Sequence, residues 1–174
     1  MSGLRRRRSI VVAIGIVGAA LAAPGLPAAG AVGGTHLDCE FETHVAFTPG
    51  ISPEVKEIHI KSTEPGPLRC TGTWAGQEVA GTGLGSFEGS AVGTCAGSTI
   101  DGALVIDHPL AGGDRFQATV PIRAGRAGTV IHGVGVGPSM AASLVGTGTP
   151  DEGQNCLTVP VTGMTAEGRV LILG

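Results

Sequence analysis

Residues 70–108 decide the fold and read CTGTWAGQEVAGTGLGSFEGSAVGTCAGSTIDGALVIDH. This stretch holds two of the four cysteines and the only tryptophan of the chain, Trp74. Three short runs of alternating apolar and small residues are separated by glycines. Such runs, bounded by turn residues, are typical of neighbouring β-strands joined by tight turns. The stretch therefore predicts a β-meander, and it does not have the form of an active-site motif.

The same alternation continues on both sides of this stretch, and the residues predicted to face the core take every second position. The clearest predicted inward rows are Ile58 and Ile60; Ile100, Leu104 and Ile106; Phe116, Val120 and Ile122; Val130, His132, Val134 and Val136; and Leu157, Val159 and Val161. Such rows recur about every ten residues, with no convincing helical pattern between them. They predict a single all-β domain of about 9–11 short strands, either an antiparallel β-sandwich or a closed β-barrel.

The N-terminal residues have the composition of a signal peptide. Four arginines at positions 5–8 precede an apolar run over residues 10–23, which is short for a membrane span, and Ala29-Gly30-Ala31 offers an A-x-A cleavage site. We predict that residues 1–31 are removed after Ala31. Residues 32–174 would then be a secreted domain, extracellular or attached to the cell envelope, without stable membrane insertion. The alternative is an uncleaved N-terminal anchor.

Cleavage would change the charge that matters for binding partners. It removes four of the eleven basic residues and none of the fourteen acidic ones, so the formal charge falls from −3 to −7. Nucleic-acid binding relies on a basic surface that neutralises phosphates, and the mature chain lacks the charge for one. We therefore expect no nucleic-acid partner and no attraction to an anionic membrane surface.

Four cysteines in an exported chain predict two disulfides. We predict the pairs Cys39–Cys70 and Cys95–Cys156, because each can join sequential parts of a meander without crossing the other. No cysteine has a second cysteine two to four residues away, as zinc sites usually require. Asp151, Glu152 and Asn155 cluster in an acidic turn, but without the spacing of a calcium-binding loop. We expect neither a metal nor a cofactor.

Catalytic residues are not predicted, and the chain is not expected to be an enzyme. The most suggestive set is His132 with Asp101 or Asp107 and Ser139, which contains the residue types of a hydrolase triad. There is no G-x-S-x-G motif around a serine, and the sequence at Ser139 does not resemble the nucleophile loop of chymotrypsin-like enzymes.

Two residues are the best candidates for ligand binding, Trp74 and His132. Alternation places His132 on an inward row, where a histidine is either a buried neutral residue or a ligand contact. Trp74 is the largest side chain of the chain, flanked by small residues. It either fills the core against a phenylalanine or forms one wall of a cavity.

Thr71-Gly72-Thr73-Trp74 resembles the G-x-W strand of calycin barrels, most closely the TGTW sequence of avidin-like proteins. The resemblance implies that Trp74 closes one end of a barrel that holds a ligand. It does not imply biotin binding, since avidin-like sites use several tryptophans and a tyrosine, whereas this chain has one tryptophan and no tyrosine. The cysteine spacing does not fit subtilisin-inhibitor-like proteins.

As a whole, the chain is similar to small glycine-rich, four-cysteine secreted proteins of unknown function from high-GC Gram-positive bacteria. The function that the sequence favours is a binding or interaction module for a small molecule, a glycan or a protein. The alternatives, in order, are a structural protein of the cell envelope, a secreted protease inhibitor presenting residues 62–67, and a hydrolase.

Overall fold

The computed structural model describes residues 34–174, which contain ten β-strands and no helix. The strands are β1 (His36–Ile51), β2 (Lys56–Ser62), β3 (Gly66–Trp74), β4 (Gln77–Glu78), β5 (Gly83–Gly93), β6 (Gly97–Pro109), β7 (Arg115–Ala127), β8 (Val130–Gly137), β9 (Met140–Pro150) and β10 (Val161–Leu173). The all-β prediction is confirmed. Within residues 34–174, no helix is long and apolar enough to cross a membrane. The predicted signal peptide lies outside the described residues.

The strands are antiparallel to their neighbours, and the sheet closes on itself. From β5 to β10, each strand pairs with the next strand of the chain, and β10 then pairs with β1 from His36↔Leu173 to Ile51↔Val161. Backbone hydrogen bonds between Thr35 and Gly174 extend this last ladder. The sequence left a sandwich and a barrel open, and the pairing of β10 with β1 joins the first and last long strands of this one sheet.

β2 and β3 are two halves of one interrupted strand. Both pair with the same edge of β1, β3 along residues 36–41 and β2 along residues 45–48. β5 pairs with both halves in the same way. The segment Glu64-Pro65-Gly66-Pro67 has the composition of a turn, and here it interrupts the strand without reversing the chain. With β2 and β3 counted as one strand, eight strands form the closed sheet. The strand pairing has a break beside residues 42–44 of β1 and 86–87 of β5. We call this break the wall gap.

Inward rows of aliphatic side chains form the core, and the predicted rows on β2, β6 and β7 are confirmed. Ile58, Ile106, Val120 and the other members of these rows are buried. We call the end of the sheet that carries Trp74 the Trp74 end. The opposite end, formed by the connections at residues 52–55, 94–96, 128–129 and 151–160, is called the loop end.

The predicted inward row over residues 157–161 is wrong for its first two members. Leu157 and Val159 are exposed in the connection between β9 and β10, and only Val161 is buried, at the start of β10. Asn155 explains the irregular backbone, because its Oδ1 accepts hydrogen bonds from the backbone N–H groups of Leu157 and Thr158 and so stabilises a turn in place of a ladder.

Candidate functional site

The closed sheet contains an apolar cavity of about 100 Å³ in the half nearer the loop end. Residues from nine strands line it, mainly Phe41, Val45, Phe47, Ile51, Ile58, Ile60, Phe87, Ala91, Ile100, Leu104, Ile122, Ala124, Ile131, Leu144, Met164 and Ala166. Protein interiors have few voids larger than a water molecule. For comparison, an engineered apolar cavity of about 150 Å³ in another protein stays dry and binds benzene. The cavity therefore has the size and the chemistry of a site for a small apolar ligand.

Small inward residues create this space. Ala91, Ala124 and Ala166 face the cavity from β5, β7 and β10, where larger aliphatic residues would fill it. Glycines of the same region have another role: a Cβ at Gly89 would lie 2.4 Å from the carbonyl oxygen of Asp101 on β6. Gly89 therefore allows close approach of the neighbouring strand, while the alanines keep the interior open.

The cavity reaches the wall gap. Glu42, Thr43, Gly85, Ser86 and Phe87 line the cavity and also border the break in the ladder. Side chains partly bridge the break, since the Ser62 hydroxyl accepts hydrogen bonds from the Thr43 hydroxyl (3.2 Å) and from the backbone N–H of Phe87 (2.8 Å). The backbone N–H of Thr63 also donates to the carbonyl oxygen of His44 (3.0 Å), so hydrogen bonds still join the strands beside this part of the cavity.

Among residues 34–174, Arg126 is the one charged residue that both lines the cavity and is buried. It continues the inward row of β7 beyond Ala124. Its Nη1 donates to the carbonyl oxygens of Cys95 (3.2 Å) and Gly128 (2.6 Å), and Nη2 donates to that of Thr94 (2.5 Å). Burial lowers the pKa of the guanidinium below its ordinary value. The inward row predicted on this strand ended at Ile122, and following the alternation for two more steps would have found Arg126.

Both predicted disulfides are present. Cys39 and Cys70 are directly opposite each other on β1 and β3, with their Cα atoms 4.0 Å apart. The second disulfide, Cys95–Cys156, joins two connections of the loop end, with Cα atoms 5.7 Å apart. The first disulfide therefore ties two strands of the wall, and the second closes the end next to the cavity.

Trp74 does not line the cavity. It lies half-buried at the Trp74 end and packs against the core, where its ring stacks on that of Phe116 with the centroids 4.3 Å apart. This is the core arrangement that the sequence offered as one alternative. The first residue of β7 that lines the cavity is Ile122, six positions beyond Phe116, so the predicted ligand contact of Trp74 is not formed with this cavity.

The predicted orientation of His132 is wrong, because the row on β8 has the opposite phase. His132 is exposed, and so are Val130, Val134 and Val136, while Ile131, Gly133 and Gly135 face inward. The reason is steric: a Cβ at Gly135 would lie 2.9 Å from Ile122 Cδ1 and 3.0 Å from Val120 Cγ1. The interior has room only for glycine there, so the larger residues of β8 turn outward.

The structure does not assemble the triad considered from the sequence. Asp101 accepts a hydrogen bond from Arg123 at 2.8 Å, and Asp107 accepts one from Arg115 at 2.7 Å. The hydrogen bond from Arg115 is the main cause that lowers the pKa of Asp107. Both carboxylates thus serve outer-face ion pairs between neighbouring strands, and neither is bonded to His132.

One polar cluster escaped the sequence reasoning, and it lies beside the wall gap. The Nε2 atom of His44 is 2.9 Å from Asp151 Oδ1, and its Nδ1 atom is 3.2 Å from the Thr63 hydroxyl. The cluster joins β1 to the break between β2 and β3 and to the start of the β9–β10 connection. No sequence signal connects these three positions. Within the described part of the chain, no group of three His, Cys, Asp or Glu side chains is arranged to hold a metal ion.

Comparisons with protein-family models, with curated proteins and with solved structures find no match to this chain. The resemblances to calycin barrels and to small secreted proteins therefore stay predictions, and the cavity carries the functional argument.

Proposed function

We propose that the chain is a secreted binding protein whose closed sheet acts as a β-barrel container for a small apolar molecule. The observation that carries the proposal is the apolar cavity of about 100 Å³. An empty cavity destabilises a protein by about 24 cal/mol per Å³, hence by roughly 2 kcal/mol here. A ligand of matching shape would recover part of that free energy on binding.

The chemistry of the cavity favours one of the three partner classes expected from the sequence. A glycan would bring hydroxyl groups into a site lined by Phe47, Leu104, Met164 and similar residues, where most of them would lose their hydrogen bonds to water. A protein partner needs a much larger contact area than an enclosed cavity offers. A small ring or a short hydrocarbon chain satisfies both the size and the polarity.

Secretion is supported by the predicted signal peptide together with the two disulfides, because such bonds persist in oxidising compartments. Mass spectrometry of protein exported by a Gram-positive host is expected to show a chain that starts at Val32 and is four hydrogens lighter than its reduced form. A chain that retains residues 1–31 would contradict secretion by cleavage without affecting the proposed binding.

Titration with toluene tests the binding proposal. In methyl NMR spectra, we expect saturable shifts at Ile100, Leu104 and Met164. Ala91→Leu places a larger side chain in the cavity and is expected to abolish these shifts, and the milder Ala91→Val is expected to weaken them. Ala141→Leu is the matched control, because Ala141 is exposed on the outer face of β9. Absence of saturable shifts in the unmodified protein would overturn the proposal.

A further inference from the structure

Arg126 has no carboxylate partner in the described chain, in contrast to the three arginines that form ion pairs there. Arg115, Arg123 and Arg169 are exposed and pair with aspartates at 2.7, 2.8 and 2.7 Å. Arg126 is buried, and its partners in residues 34–174 are three neutral backbone carbonyl groups. Buried charges in proteins are normally paired with an opposite charge, because removing an ion from water costs several kcal/mol.

The hydrogen-bonding capacity of Arg126 is also incomplete. A guanidinium carries five N–H donors, and three of them are used here on the carbonyl oxygens. Within the described residues, the buried Nε–H has no acceptor. A buried donor without an acceptor is unusual in a folded protein. An acceptor that also carries negative charge would complete both the hydrogen bonding and the charge balance of Arg126.

A second unpartnered polar group belongs to the loop end. The Ser52 hydroxyl is buried and has no hydrogen-bond partner in residues 34–174. Ser52 and Arg126 are both hydrogen-bonded to the backbone of Cys95. The N–H of Cys95 donates to the Ser52 carbonyl (3.0 Å), and Arg126 donates to the Cys95 carbonyl. Of the three buried side-chain polar atoms without a partner in residues 34–174, two therefore belong to the loop end, and the third, His108 Nε2, lies at the Trp74 end.

We propose that the cavity binds a small apolar acid, with its hydrocarbon part among the aliphatic side chains and its carboxylate on Arg126. This inference rests on the proposed function and specifies the class of its ligand. A carboxylate would supply the absent counter-charge and accept the free Nε–H of Arg126, in the geometry that guanidinium groups favour. The volume of about 100 Å³ limits the hydrocarbon part to a short branched chain or one ring.

The test compares acids with neutral molecules of similar shape on the unmodified protein. Isovalerate is paired with isoamyl alcohol, and benzoate with toluene, each titrated at neutral pH and followed at the methyl groups of Leu104 and Met164. We expect each acid to bind at least tenfold more tightly than its neutral counterpart, the ratio expected for one charge-assisted hydrogen bond. This comparison needs no variant and cannot be obscured by misfolding.

Arg126→Met then identifies the residue responsible. It is expected to remove the preference for the acids and to keep toluene binding, whereas Arg123→Met, on the outer face of the same strand, is expected to keep both. If the unmodified protein binds acid and neutral molecules equally, Arg126 only holds the loop end together and the inference fails while the proposed function stands. If neither kind of molecule binds, the proposed function fails as well.

Discussion

Trp74 and Phe116 stack with their ring planes 6° apart and so fill the core at one end of the closed sheet. Arg126 occupies the other end of the same strand as Phe116, ten residues and about 33 Å further along β7. The interior is therefore divided into a packed half with the largest ring and an open half with the buried charge. This division separates the residues that stabilise the fold from those that would bind a ligand.

Replacing Trp74 by alanine is expected to destabilise the fold without changing ligand binding. The substitution removes the half-buried ring and its stacking on Phe116. The free energy of unfolding measured by urea denaturation should therefore fall by about 2–3 kcal/mol, less than the usual cost of removing a fully buried tryptophan. Trp74→Phe keeps an aromatic ring and serves as the milder control. A loss of toluene affinity in Trp74→Ala, with stability unchanged, would contradict the division of the interior.

The strand rows show what alternation alone could predict. On β6 and β7, large aliphatic residues such as Ile106 and Val120 alternate with polar residues, and only one face of each strand can be buried. On β8, valine alternates with glycine, and Val134 or Gly135 could equally face inward by pattern. The space left by Ile122 on the neighbouring strand decides the orientation, and a single strand contains no information about that space.

The site was less predictable than the fold. The prolines around Gly66 are typical of a turn, but the sequence pattern does not show whether such a turn reverses the chain or only interrupts a strand. Here it only interrupts the strand. The wall gap depends on this difference. The cavity depends on three alanines from strands that are far apart in sequence. Each alanine alone is an ordinary strand residue, so no single segment of the sequence indicates the combined empty volume. The disulfide pairs, by contrast, followed from a simple meander.

Removing either disulfide should destabilise the protein, but only one removal should also weaken binding. Closing loops of 31 and 61 residues contributes roughly 4 kcal/mol each in the chain-entropy model. Replacing Cys95 and Cys156 by serine frees the connections at the loop end, so we expect lower toluene affinity than in the Cys39/Cys70 double serine variant. Titration calorimetry at a temperature where both variants remain folded checks this. Equal affinities would show that the loop end does not enclose the ligand.

Asp151→Asn tests the polar cluster beside the wall gap. Asparagine keeps the shape of the side chain but loses the charge that His44 contacts, and we expect the free energy of unfolding to fall by about 1 kcal/mol. Hydrogen exchange in residues 151–160 should accelerate, because the cluster holds the start of this connection. Glu152→Gln is the control, since Glu152 is exposed in the same turn. Unchanged exchange in Asp151→Asn would show that the cluster does not hold the connection.

The ion pair between Asp107 and Arg115 should appear in the acid limb of the stability curve. The folded protein lowers the pKa of Asp107, so this carboxylate contributes stability that is present above its unfolded pKa of about 3.9 and is lost as the pH falls through the lower folded value. Asp107→Asn is therefore expected to be less stable than the unmodified protein at pH 6, and the difference is expected to shrink steadily as the pH falls below about 3.9. A stability difference that does not shrink in acid would contradict the ion pair as its cause.

The most direct test of the central claim is a crystal structure determined under xenon pressure, because xenon enters dry apolar cavities of this size. We predict one strong xenon peak inside the closed sheet, in contact with Phe47, Leu104 and Met164. A closed sheet without xenon, or with this space occupied by side chains or ordered water, would contradict the account of the chain as a container for a small apolar molecule.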